Sequence, residues 1–242
     1  MKKCVLTFAL VAVIAAPAMA SIMSPAPGQM QAYVDAQQGD PRAVRAYDNW
    51  TPTGGNGWIG TYNNGASLLG DDLHLTTPGL LDTMGFSVVN AGAAGTLTGG
   101  SGAIYFYTPA GVPIYDTVTG LYNGFGFNLP TLALANGGAS RISFAAGALA
   151  SQGFVLPQDL WVVTQWSTAV FTGAGTVANL GVEIRGPITT GSSTDLLWDA
   201  TAGTTFNFGG SPLANIAYFV DVPEPMTIVL LGFGALALLR RR

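Results

Sequence analysis

Residues 160–166, Leu160-Trp161-Val162-Val163-Thr164-Gln165-Trp166, give the strongest secondary-structure signal in the chain. The stretch is rich in β-branched and aromatic side chains, which favour strands, and it holds no glycine or proline. We predict a strand over 160–170. Trp161 and Trp166 are an odd number of positions apart, so in an unbulged strand they face opposite sides. We expect one indole in the core and the other as a surface platform or a contact for a covering loop.

Similar short runs fill the chain between Tyr47 and Val220, separated by Gly, Pro, Asn and Asp. They predict strands over 58–62, 72–76, 80–90, 103–108, 112–117, 141–144, 160–170, 180–185, 196–198 and 216–220. Leu73 and Leu75 are expected on one face of their strand, because side chains alternate along a strand. No helical pattern alternates with these runs, which argues against a parallel α/β sheet. The fold class predicted is all-β, an antiparallel jelly-roll-like β-sandwich.

Four segments divide the chain. Residues 1–20 form one end, 21–46 a lead-in, 47–221 the β-sandwich ectodomain and 222–242 the other end. Within the lead-in, residues 29–38 are predicted as a short helix, stopped by the glycine and proline at 39–41. No internal repeat is present, which argues against a solenoid or propeller.

The N-terminus has the layout of a secretory signal peptide. Two lysines precede an apolar run over 5–16, and small residues at Ala18 and Ala20 precede Ser21. We predict a signal helix that is cut after Ala20, with the export translocon as a partner. The alternative is an N-terminal core helix. Cys4 is the only cysteine and lies in the segment to be removed, so the mature chain is expected to hold no disulfide and no cysteine-based metal site.

The C-terminus is equally ordered. Pro223-Glu224-Pro225 is followed by residues 226–239, which carry no charge, and by Arg240, Arg241 and Arg242. A helix over this run would rise only about 21 Å, short of the ~30 Å hydrocarbon core. It predicts a short transmembrane helix whose arginines reach the headgroups and stay on the cytoplasmic side.

This tail resembles the PEP-CTERM sorting signal, in which a Pro-Glu-Pro tripeptide, a short hydrophobic helix and a basic cluster follow in that order. The resemblance implies that an exosortase, a membrane transpeptidase-like enzyme, cuts near the tripeptide and releases or re-anchors the product. It also implies a Gram-negative-type bacterium whose envelope, surface or extracellular matrix receives the protein after transient inner-membrane anchoring. An ordinary C-terminal tail anchor is the alternative.

The body resembles the ectodomains that PEP-CTERM proteins often carry. The resemblance rests on loose motifs at 47–49, 70–73, 104–107, 191–198 and 215–219. It implies the sandwich fold and no particular activity.

The charge balance excludes one class of partner. Charged residues are 9% of the chain, against a typical ~25%. Residues 21–225 hold four arginines and 13 acidic residues, a net charge of −9. A nucleic-acid binder needs a basic patch for the phosphates, so we exclude nucleic acid as a partner. Anionic membrane surfaces are disfavoured for the same reason.

Two motifs could suggest catalysis or cofactor binding. His74 is the only histidine, and no G-x-S-x-G nucleophile elbow accompanies it, so a hydrogen-bonded or solvated strand residue is the preferred interpretation. Residues 173–178 fit G-x-G-x-x-A, with Asp195 about 20 residues on. A dinucleotide site needs a helix after the glycines, whereas a strand is predicted here, so we expect a glycine-rich hairpin.

Acidic and aromatic residues supply the remaining candidates. Asp71-Asp72 and the pair Asp195 and Asp199 are the carboxylate groupings, which could serve glycoside hydrolysis or hold Ca²⁺. The preferred interpretation is that these aspartates cap backbone N–H groups. Sugar rings could stack on exposed aromatic side chains, for which the candidates are Trp50, Trp58 and Tyr62.

From these patterns we expect a non-enzymatic, exported surface or matrix protein associated with exopolysaccharide through weak contacts. No catalytic residue, cofactor or metal ligand is assigned, and a Ca²⁺ site stays open. Two alternatives remain: a secreted carbohydrate-active hydrolase that uses aspartates, and a structural spacer without a ligand. A hydrolase should show converging acids in a cleft, a sugar binder should show coplanar exposed Trp or Tyr side chains on one sheet face, and a spacer should show neither.

Overall fold

The computed structural model describes residues 30–38, 45–50, 55–60, 68–145, 147–174, 180–200, 202–207 and 215–223. These residues form seventeen β-strands and one 3₁₀ turn at Ala150–Gln152. The strands are β1 Met30–Gln38, β2 Arg45–Asp48, β3 Gly55–Gly60, β4 Leu68–His74, β5 Gly79–Leu80, β6 Thr83–Asn90, β7 Gly95–Tyr107, β8 Gly124–Leu129, β9 Leu132–Leu134, β10 Gly138–Phe144, β11 Val155–Leu156, β12 Asp159–Gly173, β13 Leu180–Arg185, β14 Leu196–Asp199, β15 Thr204–Asn207, β16 Asn215–Ile216 and β17 Tyr218–Asp221.

Two antiparallel arrays of strands make up the body. The first has the order β15-β14-β4-β12-β7-β8, and the second runs β10-β6-β13-β16, with β17 beside β6, β2 beside β17 and β3 beside β13. Strand β1 lies between β8 and β10 and joins the two arrays. It pairs in parallel with β8 and antiparallel with β10. Strands β5 and β11 form a separate antiparallel pair.

The main core lies between the two arrays and is rich in aromatic rings. Phe86 of β6 lies 5.3 Å from Phe127 of β8 and 6.2 Å from Trp166 of β12, measured between ring centroids. All three side chains are fully buried. Large aromatic side chains dominate the burial energy of such cores. Because these rings come from opposite arrays, their packing holds the two layers together.

A second apolar cluster covers part of the outer face of the first array. There Trp198 of β14 lies 5.7 Å from Trp161 and 5.3 Å from Tyr107, between ring centroids. Trp161 and Trp166 therefore face opposite sides, as predicted. Of the two alternatives for the second indole, the surface platform is wrong, because both indoles are buried.

The predicted fold class is confirmed in its coarse form. The described residues are all-β with antiparallel sheets, and nine of the ten predicted strands correspond to β3, β4, β6, β7, β10, β12, β13, β14 and β17. The jelly-roll arrangement stays a prediction. The helices predicted for 1–20 and 226–239 lie outside the described residues. No helix among the described residues has the length and apolar character needed to cross a membrane.

Two predicted elements are wrong. Residues 30–38 form β1 instead of a helix, because strands β8 and β10 offer hydrogen-bonding partners on both sides. Residues 112–117 form a loop instead of a strand. Their backbone bonds close local turns, such as that from Thr108 N to Val112 O at 2.8 Å, and the side chain of Asp116 accepts from the backbone N of Val118 and Thr119.

Candidate functional site

Strands β4 and β12 pair side by side and set two cross-strand pairs on their outer face. Asp159 lies opposite His74, and Trp161 lies opposite Asp72. Because side chains alternate along a strand, Leu73 points the other way, into the main core. The predicted placement of Leu73 and Leu75 on one face, with His74 on the other, is confirmed.

These four side chains line a surface cleft of about 440 Å³. This volume falls within the usual range of small-ligand sites. One wall is the loop between β13 and β14, and Pro109 stands on the cleft lining as well. The full lining is Asp72, Leu73, His74, Pro109, Asp159, Leu160, Trp161, Ser192, Ser193 and Thr194.

Both ring nitrogens of His74 are engaged. Nδ1 lies 2.6 Å from Asp159 Oδ1, and Nε2 lies 3.3 Å from Gln158 Nε2. The amide nitrogen of Gln158 can only donate, so the Nε2 atom accepts and the Nδ1–H donates to Asp159. The preferred interpretation of His74 as a hydrogen-bonded strand residue is confirmed.

The loop 191–195 is clamped onto Asp72. Ser193 Oγ donates to Asp72 Oδ1 at 2.8 Å, and Thr194 donates to Oδ2 through its hydroxyl at 2.6 Å and its backbone N at 3.1 Å. Gly191 starts this loop with a φ of 75°, and a Cβ there would lie 2.5 Å from the carbonyl oxygen of His74. Only glycine fits that close approach, so the residue sets how tightly the loop lies over β4.

Asp71 lies beneath the same loop, on the core side of β4. It is fully buried, and the backbone N of Ile216 donates to its Oδ2 at 2.7 Å. Burial raises the pKa of the Asp71 carboxyl well above its usual value, and the negative charge of Asp72 raises it further.

Protonation of Asp71 also explains how Ser193 can form three hydrogen bonds, each with one donor and one acceptor. The Ser193 hydroxyl lies 3.3 Å from Asp71 Oδ1, 2.8 Å from Asp72 Oδ1 and 2.9 Å from the Asn215 side-chain oxygen. One hydroxyl proton cannot serve three acceptors. The amide of Asn215 can be turned so that its nitrogen, which is otherwise a buried donor without an acceptor, donates to Ser193. Ser193 then accepts from Asp71 and Asn215 and donates to Asp72.

Two tyrosines complete the buried layer under the cleft. Burial raises the pKa of Tyr47 well above its usual value. Burial likewise raises the pKa of Tyr218, whose hydroxyl lies 2.5 Å from Thr164 Oγ1. Both phenols stay neutral, so the charge of this region is carried by side chains at the cleft surface.

The predicted capping role of the aspartates is confirmed for three of them. Asp71 accepts from the backbone N of Ile216, Asp72 from that of Thr194 and Asp199 from that of Ala202. Asp195 is buried, with a φ of 62°. Asp195 and Asp199 are not part of the cleft lining. Among the described residues, no group of three or more His, Cys, Asp or Glu side chains is arranged to hold a metal ion.

The aromatic candidates for sugar stacking are not found on this surface. Trp50 is 1% exposed and its ring stacks on Phe219 with the centroids 4.3 Å apart. The Arg45 guanidinium lies 3.8 Å from the centroid of the Phe219 ring. The prediction of an exposed Trp50 is therefore wrong. The side chain of Trp58 and the whole of Tyr62 lie outside the described residues.

The two strands that flank the glycine-rich motif at 173–178 do not pair with each other, so the predicted hairpin between them is wrong. Gly173 ends β12 with a φ of 101°, and β13 begins at Leu180 in the other array. Next to the motif β12 pairs with β7, whereas β13 pairs with β3, β6 and β16. Residues 175–179 lie outside the described residues.

Sequence reasoning did not single out Asp159 or the Ser193–Thr194 pair as parts of a site. Asp159 is 85 positions from His74, and only the register of β4 and β12 brings the two together. The one available signal was the polar run at 191–195, which follows a strand and contains three hydroxyl residues.

Comparison with known proteins identifies the C-terminal segment. The PEP-CTERM protein-sorting motif matches residues 221–242. No curated protein and no solved structure matches the chain. The motif confirms the resemblance seen in the tail, and it marks an exported cell-envelope or surface protein that exosortase processes. Of the predicted sorting residues, the structure describes only Pro223. The other sorting and signal residues lie outside the described residues: Glu224, Pro225, Arg240–Arg242, Ala18, Ala20 and Ser21.

Proposed function

We propose that this exported protein is a non-enzymatic component of the cell surface or extracellular matrix, and that its cleft over β4 and β12 binds a saccharide unit of exopolysaccharide. The observation that carries the proposal is the cleft lining. It places Trp161, which is 8% exposed, beside carboxylate, imidazole and hydroxyl groups. Sugar rings offer the matching combination of apolar C–H faces and hydroxyl groups.

The charges of the cleft indicate which class of saccharide it can bind. Asp72 and Asp159 both line it, and the described chain is strongly acidic overall. Like charges repel across a binding site. We therefore propose a neutral polysaccharide as the ligand, with Asp159 and the Thr194 region accepting and donating hydrogen bonds to sugar hydroxyls.

The hydrogen bonds of the cleft favour binding over catalysis. The His74 Nε2 atom accepts from Gln158, so the nitrogen that a general base would use is already occupied. The carboxyl whose pKa is raised, Asp71, is sealed beneath Ser193 and fully buried. A hydrolase needs a protonated acid within reach of the glycosidic oxygen. The hydrolase alternative, with Asp72 and Asp159 as its pair, is kept as an outcome of the test below.

The binding test uses neutral polysaccharide extracted from the host and immobilised on beads. We expect the full chain in mild detergent to be retained, and Asp159→Asn to weaken retention about tenfold, since one charged hydrogen bond is worth about 1.5 kcal/mol. Asp82→Asn is the matched control, because Asp82 lies outside the cleft lining. Failure of the wild-type chain to bind, or equal binding of wild type and Asp159→Asn, would refute the proposal. Steady release of reducing ends would favour the hydrolase alternative.

The transient anchor is the second part of the proposal. The signal segment is cut after Ala20 during passage through the translocon, and residues 226–239 then hold the chain in the cytoplasmic membrane until exosortase cuts near 223–225. In a host that owns the sorting enzyme, Glu224→Gln should leave the chain full-length in that membrane, whereas Asp199→Asn should be processed normally. A wild-type chain that keeps its tail in the same host would contradict this part.

A further inference from the structure

The exposed large apolar side chains of the molecule are concentrated at one end. Seven are found among the described residues, and five of these belong to the loop 108–123 or to β11. We call this group the apolar end. Its members are Val112, Tyr115, Val118, Leu121 and Val155. Monomeric proteins rarely leave such groups together without a partner.

Backbone hydrogen bonds hold the loop 108–123 against the strand pair β5–β11. Thr117 N donates to Gly153 O at 2.9 Å. A Cβ placed on Gly153 would lie only 2.7 Å from Val118 Cγ2, so the valine packs directly on the glycine. Val155 pairs with Leu80 across β5 and β11. The exposed side chains are therefore presented by a constrained surface.

The chain leaves the folded body at the same end. Leu81 N donates to Phe154 O at 2.8 Å, and Asp82 N donates to Asp221 O at 3.0 Å. A Cβ on Gly79 would lie 3.6 Å from Val222 Cβ. Residues 79–82 thus connect the apolar end to the last residues of β17, which lead into the sorting motif.

The short connection to the tail brings this end close to the lipid. Four residue steps separate Val222 from Met226, where the uncharged run begins. A fully extended chain covers at most about 14 Å in four steps. If residues 226–239 are inserted in the bilayer, Val222 must lie within that distance of the lipid surface, and the neighbouring apolar end is the part of the body that faces it.

From this geometry we infer that the apolar end rests on the zwitterionic lipid surface while the chain is anchored, with Val118 and Leu121 inserted at the interface. The inference rests on the proposed membrane insertion of residues 226–239. The loop 108–123 contains one acid, Asp116, and no basic residue. The apolar end can therefore contact lipid through its apolar side chains, but it lacks the basic residues that attract anionic lipids.

The tail itself does not fit as the occupant. A groove beside the apolar end, lined by residues such as Pro78, Ile114 and Leu156, has a volume of about 600 Å³. A helix of 14 residues is about 21 Å long and at least 10 Å wide, which requires about 1,600 Å³. The groove is too small to hold the whole helix.

The test measures lipid contact at single positions of the full chain. Cys4→Ser is combined with Leu121→Cys, and the thiol is labelled with an environment-sensitive fluorophore. The chain is made in a host without the sorting enzyme and reconstituted into phosphatidylcholine vesicles with and without bromine on the acyl chains. Val170→Cys is the matched control, because Val170 is 57% exposed and Leu121 is 64% exposed. Val170 pairs with Gly99, about 26 Å along β7 from Tyr107, where the loop 108–123 begins.

We expect brominated lipid to quench the label at position 121 at least twofold and to leave the label at position 170 unchanged. A label at Leu230→Cys reports on the tail. If the label at position 230 is quenched but the labels at positions 121 and 170 are quenched equally, the inference is overturned while the proposed membrane anchor still stands. A blue shift at 121 without bromine quenching would mean contact with protein, such as a second copy, and would also overturn it. Absence of quenching at 230 would show that the anchor proposal fails, and the inference with it.

Discussion

Asp71→Asn should change how stability depends on pH. The carboxyl is fully buried, and burial together with the charge of Asp72 raises its pKa. Over the pH range between the pKa of the unfolded chain, about 3.9, and the raised value, the folded protein binds one more proton than the unfolded chain. The contribution of Asp71 to stability is therefore fully present below the unfolded pKa and is lost as the pH rises through the folded pKa.

The size of this pH effect follows from the one extra proton that the folded protein binds. The wild-type free energy of unfolding should fall by up to about 1.4 kcal/mol per pH unit within that range, and the fall should end above the folded pKa. The amide side chain of the Asp71→Asn variant would keep an oxygen for the Ile216 N–H and offer a donor to Ser193, without a titrating group. We therefore expect the stability difference between Asp71→Asn and wild type to grow in favour of the variant as the pH rises from about 4.5, just above the unfolded pKa.

The assay is chemical denaturation at a series of pH values, followed by tryptophan fluorescence. Trp166 and Trp198 are fully buried and report on the two apolar clusters. Gly99→Ala, which adds no titrating group and has open space around it, is the control, and its difference from wild type should stay constant with pH. Asp71→Ala should cost about 1–3 kcal/mol or more at every pH, because it leaves the buried Ile216 N–H without an acceptor. A stability difference between Asp71→Asn and wild type that stays constant from about pH 4.5 to 7.5 would refute the conclusion that the Asp71 carboxyl is protonated in the folded protein.

Three further predictions test the packing. Gly102→Ala should lower stability by about 1–3 kcal/mol, because the new Cβ would lie 2.4 Å from Phe127 Cζ. Gly99→Ala has open space around it and should change stability by less than about 1 kcal/mol. The urea midpoints of the two variants measure the difference. Ser193→Ala should cost about 1–3 kcal/mol and speed amide exchange in the loop 191–195, since Asp72 loses a donor, and unchanged exchange would count against the clamp. Trp50→Ala should lower stability by about 3–5 kcal/mol in thermal denaturation, because the ring is core; loss of polysaccharide binding in a variant of normal stability would contradict that placement.

The sequence predicted the elements whose side chains alternate or cluster clearly. In β4, the positions of Leu73 and His74 on opposite faces followed from alternation alone. Strand β8 has the same signal, since Phe125, Phe127 and Leu129 alternate with glycine or asparagine, yet it was not predicted. The apolar run at 112–117 was mistaken for a strand, because a local pattern does not show that Asp116 organises the turns around it.

The cleft could not be assembled from the sequence. Its parts come from β4, β12, the loop 191–195 and Pro109, and only long-range pairing brings them together. His74 was placed on a strand because its neighbours were apolar, and it does end β4. Its partners Gln158 and Asp159 carry no signal of their own, since a Gln-Asp pair before a strand is ordinary turn chemistry.

The position of β1 sets an order of events during export. This strand is near the leading end of the chain, yet Met30 pairs with Gly124 and Ala36 with Phe144. Its partners leave the translocon roughly a hundred residues later, and contacts so distant along the chain form slowly. Until then both edges of β1 stay unpaired, exposed to any neighbouring chain that offers a strand. A nascent molecule halted before residues 124–144 have crossed therefore carries a strand without a partner on either side.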